Sequence, residues 1–420
     1  MYGKRPRVKQ PMMESPSTDS DDPDYIPSFS DLGKSYRINS TPKPSSIKKQ
    51  TYTKEEQTYL KTLSNEEQKK MEIMETSLMK HQQTMVPLRF KILQSNLDDR
   101  VKYILMTKLQ HFQEMNEEHG EYYKLKQWFH AFFLLPLNQY VSLPISLQSS
   151  NEDIQRFIHH VQNTLNEKIY GHTHCKDQFL KIVAQWISNP FSMGHAIGIQ
   201  GAPGTGKTSF VKEGIANALK MPFGFITLGG ASDGSFLEGH SMVYEGSSYG
   251  KIVDILVKTK CMNPIIFFDE LDKVSCTKKG DEIIGVLTHL TDQSQNKSFT
   301  DKYFHGIDLD LSRALFIFSY NDETKLNPIL KNRMITLSVN GYTDDEKITI
   351  MKDYLLPTIL KTYGFQPNEI VFSQTTLKSI LNKTPKEEGI RLFKRAIETM
   401  VSELNLKRYT GTIPLPYEFV

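Results

Sequence analysis

Residues 201–208 read GAPGTGKT, and no other stretch of the chain narrows its fold so far. The run fits G-x-x-x-x-G-K-[ST], a loop whose glycines let backbone N–H groups approach phosphate oxygens at the start of a helix, where the helix dipole adds partial positive charge. That chemistry needs a buried strand before the loop and a helix after it. Both are legible: Ala196–Gln200 is a short apolar run and Ser209–Leu219 has helical spacing. A glycine-rich turn that only caps a helix accounts for neither Lys207, suited to the β/γ-phosphates, nor Thr208, suited to a magnesium ion.

Sixty-two residues beyond Lys207, the apolar run Pro264–Phe268 ends in Asp269-Glu270. Acidic residues often follow buried strands, but after a phosphate loop at this spacing the pair reads as Asp269 holding Mg²⁺ through its water shell and Glu270 orienting the attacking water as general base. A third strand, Ala314–Ser319, leads to Asn321, whose amide can hydrogen-bond that water or the γ-phosphate if the strand lies between the other two. Arg333 follows a short helical segment and Arg391 lies within EEGIRLFKR. Singly, each arginine reads as a surface residue.

From about Glu152 to residue 340, strand-length apolar runs alternate with amphipathic helical segments, the pattern of a parallel sheet covered by helices. Residues 341–420 read as helices, opening with Gly341, Tyr342 and the acidic run Asp344–Glu346. Residues 51–150 read as a helical domain or arm. It starts with the capping pattern Ser64-x-x-Glu67; Pro87 breaks it, VPLRFKIL (86–93) reads as extended, and helical periodicity resumes over Asp98–Met115. Its aromatic residues, Tyr122, Tyr123, Trp128, Phe129, Phe132 and Phe133, read as core.

Residues 1–50 hold seven prolines and nine serines and read as a disordered tail, because such a stretch buries too little apolar surface to offset its ordering entropy. The expected organisation is therefore a tail (1–50), a helical N-terminal domain (51–150), an α/β nucleotide-binding domain (151–340) and a helical lid (341–420). With nine basic and six acidic residues, the tail holds the whole net charge of +3 and leaves the rest neutral, which disfavours a dedicated duplex-binding surface. No run of 18 apolar residues occurs, so no membrane partner is expected. Cys175, Cys261 and Cys276 show no metal-binding spacing and read as reduced thiols. The absence of a secretory h-region points to the cytoplasm, with the basic KRPRVK allowing the nucleus.

Together, YGHTHCKDQ (170–178), the phosphate loop, LGGASDGSFLEGHSMVYEG (228–246), NPIIFFDELDKV (263–274), GYTDDEKITIMKDYLLP (341–357) and EEGIRLFKRAI (387–397) resemble, in order and spacing, the AAA+ ATPase module of Lon-type proteins. The similarity extends to the Lon-like AAA+ ATPases of large DNA viruses, which would place the chain in a host cytoplasm. The resemblance implies an α/β P-loop fold with a five-stranded parallel sheet and a C-terminal helical lid, working with ATP and Mg²⁺. On matching positions it implies that Tyr170 and Gly171 border the adenine. Gly201, Ala202, Pro203, Gly204, Thr205, Gly206, Lys207, Thr208 and Ser209 would hold the phosphates, and Thr208 and Asp269 the metal. Glu270 would serve water, Asn321 would be sensor 1, Arg333 an arginine finger acting on the neighbouring subunit of a homo-hexamer, and Arg391 sensor 2.

The resemblance also sets Tyr244 at a substrate-gripping pore loop, with Glu245 departing from the family's usual apolar neighbour and the polar stretch Ser275–Gly280 at a second pore loop. The flanking small polar residues favour an exposed loop over a buried core tyrosine. The Ser–Lys proteolytic domain that follows the lid in Lon proteases is not expected in the roughly 15 residues after Leu404. The expectation is thus an ATP-hydrolysing ring motor that remodels or unfolds protein substrates without cutting them, with or without a separate protease. The alternative is a nucleic-acid-associated motor or loader.

Overall fold

The computed structural model describes residues 52–80, 86–190, 196–366, 368–411 and 416–419. The expected tail, residues 1–50 with its KRPRVK, lies outside the described residues. The chain divides into two compact units, Met1–Met85 and Val86–Val420. In the first, helices Lys54–Leu60 and Asn65–Lys80 follow one another. Both start on capping boxes: Thr53 with Glu56, and Ser64 with Glu67, where Glu67 Oε2 accepts from the Ser64 N–H at 3.0 Å.

The second unit is built on five parallel strands: β1 Ala196–Gly201, β2 Phe223–Thr227, β3 Ile265–Asp269, β4 Leu315–Tyr320 and β5 Ile335–Val339, in the order β2-β3-β4-β1-β5. β4 is buried along its whole length, which is why it reads as an unbroken apolar run. Alternate residues divide between two cores. Ile197, Ile199, Ile265, Phe267, Leu315 and Ile317 face helices Asn151–Lys168 and Thr173–Ser188. Ile266, Phe268, Phe316 and Phe318 face helices Lys251–Thr259 and Lys278–Thr291.

That second core also takes in residues 88–140. Trp128 and Phe132 stack at 5.5 Å, Trp128 Nε1 donates to Tyr303 O at 2.9 Å, and the Asn263 side chain is bonded to Val141 from both its ends. The aromatic residues read as core are buried at Trp128, Phe129 and Phe132, whereas Tyr123 is exposed. The extended reading of residues 86–93 is corrected. Leu88–Gln94 is a helix with Ile92 buried, because Pro87 stands at its N-cap, where a missing N–H costs nothing, rather than inside it.

Beyond β5, Thr343 and Glu346 form a capping box that starts helix Asp344–Ile350, followed by helices Leu356–Thr362, Gln374–Lys383 and Arg391–Tyr409 around their own apolar cluster. Three-residue strands, β6 Ile370–Phe372 and β7 Tyr417–Phe419, pair in parallel beside them. They are too short to register in a helical reading of 341–420.

Candidate nucleotide site

The glycine loop leaves β1 between β4 and β5, at the carboxyl edge of the sheet. Gly204 and Gly206 stand at φ +80° and +89°, a region costly for any residue with a Cβ. Among the described residues, the N–H groups of Gly204, Thr205 and Gly206 donate to no protein acceptor. The Lys207 ammonium is buried, and donates to Gly201 O (2.7 Å), Ala202 O (3.0 Å) and Asn321 Oδ1 (2.7 Å). All three partners are neutral, so its charge remains available to an anion. Burial lowers its pKa, opposed by the charges of Asp269 and Asp272.

β4 does lie between β1 and β3, which brings Asn321 to Lys207. The same adjacency supplies a residue the sequence did not single out. Ser319, buried on β4, donates its hydroxyl to Asp269 Oδ1 and fixes that carboxylate. Glu270 turns into the left-handed region at φ +60°, a strain of about 1–3 kcal/mol for a non-glycine residue, while its N–H donates to Asp269 Oδ1 at 3.1 Å. Its carboxylate rests on Gly229, where a Cβ would lie 2.2 Å from Glu270 Oε2. Gly229 stands in the quoted LGGASDG, but only the fold reveals what its missing side chain makes room for.

The lid meets the loop directly. Ile390 N–H donates to Gly204 O at 3.1 Å, and Gly389 packs so closely that a Cβ there would lie 2.3 Å from Pro203 O. Arg391 thus opens the 19-residue helix Arg391–Tyr409 at the phosphate loop, its Cβ 3.0 Å from where one on Gly204 would stand. On the other flank, Tyr342 donates its hydroxyl to Thr205 O at 2.9 Å, and His172 Nε2 lies 2.7 Å from that hydroxyl and 3.1 Å from Thr205 O. The Tyr342 hydroxyl, the His172 imidazole and the Thr205 carbonyl thus form one hydrogen-bonded cluster at the loop. Burial lowers the His172 pKa and pushes the Tyr342 phenol up to about 12. Neither side chain was expected at the site. Gly171 has φ +65°, and Tyr170 packs half-buried on the lid, edge-on to Tyr354 at 6.1 Å.

Arg333 stands apart. Its guanidinium bonds Thr288 O and pairs with Asp292 at 3.0 Å, and none of its bonds reaches residues 201–209. Tyr244 is 67% exposed and Glu245 beside it is exposed too, although Met242, two residues before Tyr244, packs against the core. Thr208 and Ser209 are also exposed.

These residues fit ATP and Mg²⁺. The unpaired loop amides and Lys207 suit a polyphosphate, and Thr208 with Asp269 offers oxygen ligands. Among the described residues no cluster of three or more His, Cys, Asp and Glu could hold a metal, and Mg²⁺ needs none, being held mostly by phosphates, waters and one or two carboxylates.

A buried parallel sheet in this order, with a glycine loop, paired carboxylates and a lid resting on the loop, defines a P-loop ATPase module. Residues 197–339 match the family described as ATPase family associated with various cellular activities (AAA), so this part of the chain is an AAA module. Around it, the chain is 36% identical over 273 residues to a Lon protease homolog of Acanthamoeba polyphaga mimivirus, covering 65% of this chain and 26% of the relative. It is 34% identical over 257 residues to a Lon protease of Lawsonia intracellularis (61% and 31%), and 31% identical over 314 residues to a mitochondrial Lon protease homolog of Scheffersomyces stipitis (74% and 28%). The module is therefore of the Lon type, and the matched segment spans about a quarter to a third of these relatives.

Proposed function

We propose that this chain is an ATP-hydrolysing motor that works as a six-membered ring, as its resemblance implies, and remodels or unfolds polypeptides. The observation that carries the hydrolytic part is the meeting of Lys207, Asn321, Asp269 and Glu270 at one edge of the sheet. When bound, Mg²⁺ supplies charge neutralisation on the phosphates. Lys207 and the loop amides bind the phosphate oxygens, and Ser319 holds Asp269 toward the metal. Glu270, braced on Gly229, takes the proton of the attacking water, and Asn321 orients it. Tyr170 and Gly171 border the base. Arg391, rigidly placed by its helix, senses the γ-phosphate. Arg333 bonds Asp292 and Thr288 and not its own loop, which agrees with its reading as a finger that serves a neighbouring protomer.

The polypeptide part rests on Tyr244, which projects from an exposed loop as a gripping side chain must. Proteolysis does not enter the reading. Ser235 touches both Asp233 and His240, but it gives its own proton to Asp233, so no carboxylate-oriented base acts on it. Among the described residues no helix is long and apolar enough to cross a membrane.

The test is ATP turnover with an unfolded protein or with single- or double-stranded DNA added. Stimulation by polypeptide supports the reading, and stimulation by DNA alone replaces it with a nucleic-acid motor. Glu270→Gln is expected to bind ATP with turnover nearly abolished and, as a stalled ring, to retain its client; unchanged turnover removes Glu270 from its role.

A further inference from the structure

The loop that carries Tyr244 leaves the domain at Gly239 and returns at Gly250, and the two ends touch. A Cβ on Gly239 would lie 2.7 Å from Gly250 N, and one on Gly250 would lie 2.5 Å from Gly239 N and 2.0 Å from Leu237 O. Just above this seam, His240 N–H donates to Ser248 O at 3.0 Å. Val243 and Tyr244 at the tip are 80% and 67% exposed. Directly beneath lies Asp301, with no exposed surface. Asp301 Oδ2 accepts from Gly250 N–H at 2.8 Å, Oδ1 accepts from Tyr303 N–H at 2.9 Å, and a Cβ on Gly239 would stand 2.9 Å from Oδ1.

Among the described residues no cation pairs with this carboxylate. Lys302, next to it in sequence, turns instead to Glu238 at 2.9 Å. A buried carboxylate without a counter-charge is costly, and an apolar residue would fill the space more cheaply. The segment that bears it is itself immobilised. Tyr303 O accepts from Trp128, and the Phe304 ring stacks on Tyr249, at the foot of the loop, with centroids 6.1 Å apart. One carboxylate therefore ties the loop's return strand to the rigid core.

We propose that Asp301 is the positioning residue of the gripping loop, stapling its base so that residues 240–249 move as one body with the domain and carry the stroke to Tyr244. This rests on the reading of Tyr244 as the polypeptide grip.

Burial is the main cause that pushes the Asp301 carboxyl up to about 7, with Glu238 adding to it and the backbone N–H groups opposing it. The other titratable groups facing it are Lys302, Tyr303 and Tyr249, with His240 on the loop itself. An opened staple exposes the carboxyl to water and returns it to about 3.8. The closed form thus holds the proton more tightly, and closure weakens as pH rises through 7. The opening constant is expected to be about tenfold larger at pH 8 than at pH 6.

The experiment is hydrogen exchange of residues 240–250 in the full chain, corrected for the intrinsic pH dependence of exchange, on a His240→Gln background so that the loop imidazole does not contribute. Protection is expected to fall about tenfold from pH 6 to pH 8, and Asp301→Asn, which keeps a single acceptor oxygen, is expected to flatten the profile. In parallel, Asp301→Asn is expected to raise the half-saturating concentration of reduced, carboxymethylated α-lactalbumin about tenfold, relative to ATP turnover measured in the same preparation. A pH-independent profile in the unsubstituted Asp301 protein overturns the staple, and it can be read even if Asp301→Asn does not fold. A wild-type half-saturation in Asp301→Asn overturns it as well. Tyr244→Ala separates the two ideas: if polypeptide coupling survives it, the grip reading fails, while the exchange profile still judges the staple.

Discussion

Gly229→Ala tests the placement of the general base without touching it. The backbone at Gly229 is in a region open to alanine, so the substitution adds one methyl group and no torsional strain. That methyl would lie 2.2 Å from Glu270 Oε2, against 3.4 Å where ordinary contact begins, so the carboxylate must retreat by about 1.2 Å. Oε2 ends a flexible side chain at an exposed position, so the retreat is a side-chain movement and the backbone need not yield. A misplacement of about 1 Å costs on the order of 10²-fold in rate, or about 2.7 kcal/mol of transition-state stabilisation. The expected result is a kcat about 10²-fold lower, with KM for ATP and melting temperature close to wild type, because residues 201–208 and the core are untouched. The assay is steady-state phosphate release with a nucleotide-binding titration and a thermal melt on the same preparation. A folded variant that keeps its kcat refutes the view that Gly229 sets the position of Glu270. Loss of ATP binding instead would show that Gly229 acts on the phosphate loop.

Arg333→Ala is expected to lower kcat on the order of 10³-fold while sparing ATP binding, with Asp292→Asn as the control for losing the ion pair alone. Wild-type specific activity is expected to rise with protein concentration, and a concentration-independent rate in a monomer, read with light scattering, refutes a shared site. Burial holds the His172 imidazole below its ordinary 6.5, so the folded chain stays neutral there while the unfolded chain takes up a proton. Stability is therefore expected to fall as pH drops below about 6.5, and the melting-temperature difference between wild type and His172→Gln should shrink toward pH 5; a pH-independent difference refutes this. Burial also pushes the Cys175 thiol up to about 11 and raises that of Cys261, while Cys276 is exposed, so maleimide on the native protein is expected to modify Cys276 alone, read by peptide mass. Labelling of Cys175 before unfolding counts against the described core.

What the sequence by itself determined is what chemistry writes locally. GAPGTGKT needs its glycines where the chain turns left-handed, IIFFDE needs an apolar strand beneath its carboxylates, and the capping residue Ser64 stands next to the helix it starts. Each of these signals spans a few residues, and its physical cause lies within them. The reading failed locally at residues 86–93, because a proline that starts a helix and one that breaks it look alike until its neighbours are placed, and it missed the three-residue strands Ile370–Phe372 and Tyr417–Phe419 and the exposure of Tyr123.

Only the tertiary structure decided which distant groups share a space. The order of strands set β4 between β1 and β3, and so delivered Asn321 to Lys207 and Ser319 to Asp269. Lid closure brought Tyr342 to the loop beside His172, and packing set Gly229 against Glu270 and Asp301 under Gly250. A glycine whose purpose is to leave room, or a carboxylate whose partner is a backbone N–H some fifty residues away, carries no mark in its own neighbourhood. Its role comes from contacts that form only when burial of apolar surface folds the sheet and its helices together.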